Sequence, residues 1–421
     1  MRVAKSNSLL YTEIGIELFD RRVNYTMQGG KRINAGRTAL PEDVKKIGYK
    51  VYLSPILKQE IERYGRGENF SQKIGFIIEQ GIHSVPVPHT YNSIDLFAGI
   101  GGIRKGFDNA FGKSIQTVFV SEWDKYAQET YKANFKDSFE INGDITKIDG
   151  KDIPQFDICL AGFPCQAFSL AGQRKGFADD YKGMSRGTLF FDVARICEMH
   201  RPKVIFCENV KGLTIHDKGR TFKIITKTLE SLGYNVFFKI LNSKDFGVPQ
   251  NRERIYIVAF RNDIESSSFE FPKSVDDTKK IKDILEENPV SAKYYLSDTY
   301  IETLKRHKAR HAAMGHGFGY EIRSLDSIAG AIVCGGMGRE RNLIVDDRQK
   351  NLTPVTHIKG KVNTKGIRKM TPREWARLQG FPDDYVLPLA DTHMYKQFGN
   401  SVTVNVIEAI AKKIKQVLDK N

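Results

Sequence analysis

The stretch Phe156-Asp-Ile-Cys-Leu-Ala-Gly-Phe-Pro-Cys165 decides the fold class of this chain. Its apolar first part ends at Gly162-Phe-Pro164, and it has the length and boundaries of a buried strand in a parallel sheet. A Pro-Cys pair directly after such a strand places a thiol at the carboxyl edge of the sheet, where open α/β sheets bind ligands. A free cysteine is more often a small buried hydrophobe. The role of Cys165 therefore depends on the residues around it.

The composition is that of a globular protein with a polyanionic partner. Hydrophobic residues make up 40% of the chain and charged residues 27%, and no run approaches the ~18 apolar residues that a membrane span requires. The net charge of +15 favours nucleic acid, although solvated lysines alone also give a positive balance. An odd number of cysteines without a CxxC pair argues against disulfides and zinc, so we expect a reducing, intracellular setting and no metal.

The N-terminal region predicts a small DNA-binding unit. Residues 1–45 are polar and rich in glycine, and they are interpreted as a flexible basic arm. Residues 46–85 combine one alternating strand with two capped helices that a glycine turn separates. This order resembles the ribbon-helix-helix fold, in which two chains pair their strands in the major groove. The resemblance implies a homodimer that reads bases with Lys50 and Tyr52; the alternative is a helical extension that packs on the main domain. Residues 86–91 are the predicted linker.

From Tyr91 onward, strands and helices alternate as in a doubly wound parallel sheet. The turn Ala98-Gly-Ile-Gly-Gly102 follows the first strand, and its glycines let backbone amides approach a ligand. Glu122 ends the next strand about 20 residues further on, where nucleotide-binding folds place a ribose-binding acid. Trp123 offers a flat face for an adenine ring. Together with Gly143-Asp-Ile145 these residues predict an adenosine-bearing ligand, whereas the glycines alone would also fit a structural turn.

Three further groups have side chains suited to catalysis. Glu208 ends an apolar strand and is either a satisfied structural acid or a general acid with a raised pKa. Arg252 and Arg254 are predicted to lie on one strand and to point the same way, where they would clamp a carboxylate, a phosphate or a base edge. The basic, glycine-containing loop Ser169–Phe177 would close over a bound anionic strand.

Taken together, these segments resemble the DNA (cytosine-5) methyltransferases. The resemblance covers Ser93 to about Phe260 and Arg368 to Asn405. RNA cytosine methyltransferases that use two cysteines are a poor match, because no second cysteine replaces the acid of Glu208-Asn-Val210. The motifs occur in the family order: Asp95-Leu-Phe-Ala-Gly-Ile-Gly-Gly102, Glu122-Trp123, Gly143-Asp-Ile145, Gly162-Phe-Pro-Cys-Gln-Ala-Phe-Ser169, Glu208-Asn-Val210, Gln250-Asn-Arg-Glu-Arg254, Arg368-Lys-Met-Thr-Pro-Arg-Glu-Trp-Ala-Arg-Leu-Gln-Gly-Phe-Pro382 and Gln397-Phe-Gly-Asn-Ser401.

The resemblance implies a covalent mechanism on a cytosine that is flipped out of the duplex. Cys165 would add to carbon-6 and activate carbon-5. Glu208 would contact the ring nitrogen at position 3 and the exocyclic amine, while Arg252 and Arg254 hold the base and the acid in register. The methyl donor would be S-adenosylmethionine. Its implied contacts are Phe97, Gly99, Gly101, Gly102, Glu122, Trp123, Asp144, Ile145, Pro164, Asn400 and Ser401.

The resemblance also implies the division of the chain. An α/β, Rossmann-like methyltransferase sheet would occupy residues 92–262 and be completed by residues 366–421, where a final helix, Val404–Leu418, packs beside the first strand. Residues 263–365 would form a smaller, largely irregular target-recognition domain. Gln166, Ser169, Gln250, Arg339 and Arg341 are the implied DNA contacts, and the last two would touch either guanine or phosphate.

The sequence thus predicts a sequence-specific DNA cytosine-5 methyltransferase of a bacterial restriction–modification system. Its partners would be double-stranded DNA and, in a functional sense, a restriction endonuclease. It would be located in the cytoplasm, at the nucleoid. The N-terminal unit would repress its own promoter. The alternatives are a DNA-binding regulator with a vestigial methyltransferase domain and a tRNA cytosine methyltransferase. Cys159, Cys197 and Cys207 lie in apolar runs and are predicted to be structural, whereas Cys334 fits either role.

Overall fold

The chain divides into two compact units, Met1–Pro88 and His89–Asn421. The computed structural model gives only backbone for residues 16–19, 50–53, 180–181 and 184–185. It describes side chains in residues 58, 61–62, 68–70, 72–73, 91–164, 189–275, 279–317, 319–335, 338–349, 352–353 and 360–421. Three predicted site residues, Cys165, Gln166 and Ser169, lie outside these ranges.

The N-terminal unit contains a two-stranded antiparallel pair. Ile16–Phe19 pairs with Lys50–Leu53, with Ile16 opposite Leu53. The first strand falls within the predicted flexible arm, and it gives the predicted DNA-reading strand a partner from its own chain. A ribbon-helix-helix dimer would take that partner from a second chain, so the pairing does not support that fold. Most of the two predicted helices lies outside the described residues.

A six-stranded sheet forms the centre of the second unit. The strands β1 (Tyr91–Leu96), β2 (Ile115–Ser121), β3 (Ile158–Ala161), β4 (Val204–Val210), β5 (Tyr234–Asn242) and β6 (Glu253–Arg261) lie in the order β2-β1-β3-β4-β6-β5. Strands β1 to β4 are parallel, as predicted, but β6 runs antiparallel to both of its neighbours. Residues 243–252 join β5 to β6, and this connection is too short for a parallel pair, because a parallel pairing needs a crossover of a dozen or more residues.

Helices cover both faces of the sheet. The α-helices that the structure describes in this unit are α1 (Gly102–Phe111), α2 (Lys125–Asn134), α3 (Leu189–His200), α4 (Arg220–Ser231), α5 (Asp298–Ala313), α6 (Pro372–Leu378), α7 (Asp391–Asn400) and α8 (Val404–Leu418). Helices α1 and α8 pack on one face with Leu160 and Phe206, while α3 and α4 pack on the other with Cys159 and Ile205. Neighbouring residues of one strand therefore enter opposite cores. No helix in the described part of the chain is long and apolar enough to cross a membrane.

Helix α8 has the predicted bounds and packs tightly against α1. A Cβ built on Gly106 would lie 2.5 Å from Ile407 Cγ2, so glycine is needed for this approach. Cys159, Cys197 and Cys207 are buried, which confirms that they pack as hydrophobes, whereas Cys334 is exposed.

The predicted irregular segment contains a regular helix. The charged run Arg306–His311 lies within α5, whose N-cap Ser297 accepts a hydrogen bond from the Tyr300 amide at 3.2 Å. Only Ile301 and Leu304 of α5 are buried. So narrow an apolar stripe gives little periodicity for a sequence pattern to detect.

A buried ion-pair network joins this segment to the C-terminal part. Arg368 is fully buried; its two Nη atoms donate to the Glu374 carboxylate at 2.8 Å each, and its Nε donates to Asp346 at 2.8 Å. Hydrogen bonds from Arg348 and Arg368 hold the pKa of Asp346 far below its usual range. Because removing one partner would leave an unpaired buried charge, the network fixes how the two segments meet.

Candidate active site

The carboxyl ends of β1 and β2 bring the glycine turn and the predicted ribose-binding acid together. The Gly99 amide donates to Glu122 Oε2 at 2.7 Å, and the Asp124 amide donates to Oε1 at 2.6 Å. Burial raises the pKa of Glu122, and the hydrogen bonds from these amides oppose the increase. Gly101 has a φ of 76°, and a Cβ there would lie 2.3 Å from the Phe135 ring. The turn therefore requires glycine.

This corner of the molecule has the features of an adenosine site. A Cβ built on Gly99 would meet no atom within 4 Å, so the turn borders open space. Trp123 is 55% exposed, and its indole face is accessible beside Glu122. A Cβ on Gly102 would lie 2.8 Å from Ser401 Oγ, which places the end of α7 against the start of α1. Acid, aromatic face and glycine turn thus fit an adenosyl cofactor.

The remaining predicted cofactor residues differ in exposure. Asp144 is partly exposed and caps a short 3₁₀ turn by accepting from the Thr146 amide at 3.1 Å. Ile145 is 3% exposed and belongs to the core under α3. Pro164 and Phe97 are half-buried, and Asn400 is exposed. Ile145 is thus the member of the set that contributes mainly to packing.

Asp95, in the first family motif, is a buried acid beside this corner. Neither carboxylate oxygen has a hydrogen-bond partner within the described residues. Burial raises the pKa of Asp95 to about 8, and the Arg104 guanidinium opposes that rise. Arg104 is itself held by Asp137 at 2.5 and 2.8 Å. Burial thus favours the neutral form of Asp95, which avoids an unpaired charge in the core.

Glu208 is a buried carboxylate near the carboxyl end of β4, at the same edge of the sheet. Arg254 lies on β6, and its Nε is 3.3 Å from Glu208 Oε1, an ion pair without hydrogen-bond geometry. Burial raises the pKa of Glu208, and the charges of Arg254 and Arg252 oppose the increase. The acid is thus oriented by a cation while one oxygen retains its capacity to bond a ligand.

Asn209 links this acid to the strand end that precedes Cys165. Its side-chain Nδ2 donates to the Phe163 carbonyl at 3.2 Å, and both residues are buried. The sequence predicts no role for Asn209 of its own. The available signal was its place directly after a strand-end acid, which is where a positioning residue would lie.

Arg252 does not share the direction predicted for it. It lies between the short strand Gln250–Asn251 and β6, so the alternation that would align it with Arg254 is interrupted. Its guanidinium donates to the carbonyls of Ile332 at 2.8 Å and Ser401 at 2.5 Å. Arg252 therefore ties residues 263–365, the predicted recognition segment, and the end of α7 to the sheet.

Gln250, predicted as a DNA contact, is fully buried. Its Nε2 donates to the Leu378 carbonyl at 2.8 Å, and its Oε1 accepts from the Ile332 amide at 3.0 Å. Both polar atoms are thus engaged in the interior, which favours a structural role for Gln250. The side chains of Lys50 and Tyr52 are not described.

Arg339 and Arg341 lie in a 3₁₀ turn, Gly338–Asn342, of the predicted recognition segment and are both partly exposed. The Arg339 guanidinium lies over the Tyr395 ring, 5.5 Å from its centroid. On α5, the ring centroids of His307 and His311 lie 4.3 Å apart, and the rings are tilted by 43°. Among the described residues, no group of three or more His, Cys, Asp or Glu could hold a metal ion.

Solved structures first define the class of protein. The fold is similar to that of the Entamoeba histolytica methyltransferase EhMeth, with a TM-score of 0.59 and 22% identity, covering 78% of this chain and 98% of the other. The S. pombe Dnmt2 methyltransferase gives a TM-score of 0.57 at 20% identity, with coverage of 78% and 98%. This chain therefore has an α/β methyltransferase fold.

Sequence comparison then defines the family. Residues 91–416 match the family model of the C-5 cytosine-specific DNA methylases. The Type II methyltransferase M.HpaII of Haemophilus parainfluenzae is 58% identical over 332 residues, covering 78% of this chain and 90% of the relative. M.SsoII of Shigella sonnei is 44% identical over 396 residues, covering 92% and 98%. The chain belongs to the C-5 cytosine-specific DNA methylase family and is a DNA (cytosine-5) methyltransferase.

Proposed function

We propose that this enzyme methylates carbon-5 of one cytosine in a specific duplex sequence, through a covalent adduct with Cys165. The observation that carries the proposal is the buried Glu208 beside Arg254, joined through Asn209 to the strand end that precedes Cys165. Carbon-5 is a poor nucleophile until a thiolate has added to carbon-6. A buried acid next to the adduct is the group that this chemistry needs.

The roles of the side chains follow from their positions. The Cys165 sulfur forms a bond to carbon-6, and the electron pair of the 5,6 double bond moves to carbon-5. Glu208 hydrogen-bonds ring nitrogen 3 and the exocyclic amine, which stabilises the electron-rich ring. Arg254 keeps the Glu208 carboxyl oriented. Loss of the carbon-5 proton after methyl transfer then expels the thiolate and restores the ring.

S-adenosylmethionine is the proposed methyl donor. Glu122 and Trp123 would hold its ribose and adenine, and the glycine turn would border it. Bound there, it supplies an electrophilic methyl group. Gly102 and Ser401, which lie against each other, would close the side nearest α7.

The biological role we propose is protection of DNA from a cognate restriction endonuclease. M.HpaII and M.SsoII are both named Type II methyltransferases. The rival assignments are a regulator with a vestigial methyltransferase domain and a tRNA methyltransferase. The retained acid–arginine pair favours an active enzyme, and the relatives favour DNA.

The proposal is tested by trapping the adduct on duplex DNA that contains 5-fluorocytosine at the target position. Fluorine cannot leave as a proton does, so the thiolate cannot be expelled after methyl transfer. With S-adenosylmethionine present, we expect a protein–DNA species that survives denaturing electrophoresis. Unmodified duplex and 5-fluorocytosine tRNA are the controls. Absence of the species on DNA, or its appearance only on tRNA, contradicts the proposal.

The N-terminal unit is proposed to bind operator DNA as an autoregulatory repressor, as a homodimer. The match to M.SsoII covers 92% of this chain, so it includes part of Met1–Pro88, which makes up about a fifth of the sequence. Deleting residues 1–85 should abolish binding to the enzyme's own promoter fragment while methylation of target duplexes continues. Unchanged promoter binding after the deletion would exclude the regulatory role.

A further inference from the structure

The turn Gly338–Asn342 presents two arginines on either side of a buried acid. Glu340 is 2% exposed, whereas Arg339 and Arg341 are both partly exposed. Charged residues are rarely buried unless they are paired. The burial of Glu340 between two surface arginines therefore requires partners in the interior.

Those partners come from two other segments. Tyr300, on α5, donates its hydroxyl to Glu340 Oε1 at 3.0 Å, and Lys369 Nζ lies 3.2 Å from the same oxygen. Lys369 Nζ also lies over the Tyr300 ring, 5.3 Å from its centroid. We call Tyr300, Glu340 and Lys369 the Glu340 cluster. It fastens the turn to α5 on one side and to the strand Ile367–Arg368 on the other.

Backbone and glycine contacts fix the rest of the turn. The Glu340 carbonyl accepts from the Glu321 amide at 2.9 Å, and the Asn342 side chain bonds both backbone groups of Gly330 at 2.8 and 3.1 Å. A Cβ on Gly338 would lie 2.3 Å from the Val333 carbonyl. The main chain is thus held at both ends and at Glu340, so the Glu340 side chain is the remaining contact between the two arginines that can affect their direction.

The Glu340 carboxylate offsets the positive charges of Lys369 and Arg339. Burial and the nearby Arg339 charge lower the pKa of Lys369, and the Glu340 carboxylate opposes them. Arg339 is also held over Tyr395. Without the negative charge of Glu340, the Lys369 and Arg339 cations would repel each other, and partial burial would reduce the screening of this repulsion by water. The turn would then relieve the repulsion by moving Arg339.

We propose that Glu340 is a positioning residue for target recognition: its buried carboxylate holds the Arg339–Arg341 turn in the orientation that reads base edges beside the target cytosine. This inference rests on the proposed function, since it requires a duplex substrate. Arginine reads guanine through two parallel hydrogen bonds, which tolerate little displacement. Small movements of the turn should therefore change discrimination between sequences more than they change the chemical step.

The test replaces Glu340 by glutamine in the full chain, after bisulfite sequencing has identified the site methylated by the unaltered enzyme. We measure kcat and KM on the cognate duplex and on duplexes with single base-pair changes around the cytosine. The ratio of kcat/KM between cognate and altered duplexes should fall at least about tenfold. The kcat on saturating cognate duplex should stay within about twofold, because Glu340 contacts no reacting atom.

Two further variants separate positioning from general damage. Glu340→Gln/Lys369→Met removes both charges and should recover most of the discrimination lost in the single variant, because the repulsion disappears. Glu321→Gln is the matched control: this acid lies beside the turn but is 51% exposed and paired with Arg323 at 2.6 Å, so discrimination should not change.

An equal fall in kcat/KM on every duplex would overturn the proposal, since it would indicate phosphate contact or loss of folding. Lack of recovery in the double variant would also overturn it. If the single variant does not fold, Tyr300→Phe, which removes one hydrogen bond to Glu340, must reduce discrimination with kcat preserved. Failure of the proposed function itself is distinguishable, because the unaltered enzyme would then methylate no duplex.

Discussion

Replacing Cys165 by serine is expected to reduce methyl transfer by on the order of 10⁴-fold or more, as removal of a catalytic nucleophile does in other enzymes. A serine hydroxyl is not ionised near neutral pH, whereas a thiol is partly ionised and intrinsically more nucleophilic. The strand end before Cys165 is held by the hydrogen bond from Asn209 to the Phe163 carbonyl, so the substitution should leave the local backbone in place. Single-turnover incorporation of labelled methyl groups into the target duplex measures the effect.

Cys334→Ser supplies the matched control for this substitution. Cys334 is an exposed free thiol in the recognition segment, and its loss should leave the single-turnover rate within about twofold of the unaltered enzyme. The serine variant at position 165 should also form no denaturation-resistant species with 5-fluorocytosine DNA. If that variant methylates DNA at a comparable rate, the covalent mechanism is wrong.

Replacing Glu208 by glutamine should lower kcat by roughly 10²- to 10⁴-fold, the range typical of a positioned acid. Glutamine keeps the shape of the side chain, but its amide can neither carry a negative charge nor donate and accept a proton as the carboxyl group does. Stability should not fall with activity. Because burial raises the pKa of Glu208, its ionisation opposes folding as the pH rises above the ordinary glutamate value, and glutamine removes that penalty. Urea unfolding near pH 8 and steady-state kinetics measure the two effects separately.

A second acid on the neighbouring strand provides the comparison for Glu208. Glu253 precedes Arg254 in the sequence but is 45% exposed and paired with Lys211 at 3.0 Å. Glu253→Gln should retain kcat within about threefold, since surface ion pairs contribute little. Comparable losses in the two variants would mean that Glu208 has no special role in the reaction.

Local sequence patterns were sufficient for the parallel half of the sheet and for the glycine turn and acid that meet at the ends of β1 and β2. Each predicted strand from β1 to β4 is a short apolar run with glycine, proline or an acid at its end, and such signals lie within a few residues of each other. The direction of β6 was missed because the parallel pattern was extended past β5, whereas a connection as short as 243–252 does not allow a parallel crossover. Helix α5 was missed because charged residues dominate its sequence.

Motif membership also did not distinguish contact with a ligand from support of the fold. Gln250 and Arg252 belong to the same motif as Arg254, yet the first is fully buried and the second binds backbone carbonyls. Of the three, it is Arg254 that forms the ion pair with Glu208. The strand is interrupted at Arg252, so the alternation of side chains does not extend from Arg254 back to Gln250. At this interruption Arg252 bonds the carbonyls of Ile332 and Ser401, which are distant in the sequence.

The packing of α8 beside β1 has a consequence for the order of the segments along the chain. Tyr91, which begins β1, shares a hydrophobic cluster with Leu418, and burial together with the nearby Asp419 carboxylate raises the pKa of Tyr91. The two ends of the methyltransferase unit are thus neighbours in space. A short peptide could join them while the polypeptide is opened at a surface loop elsewhere, and the same interior would form. Circularly permuted versions of this enzyme are therefore compatible with its architecture, and the fold does not require the order in which the motifs follow each other along the chain.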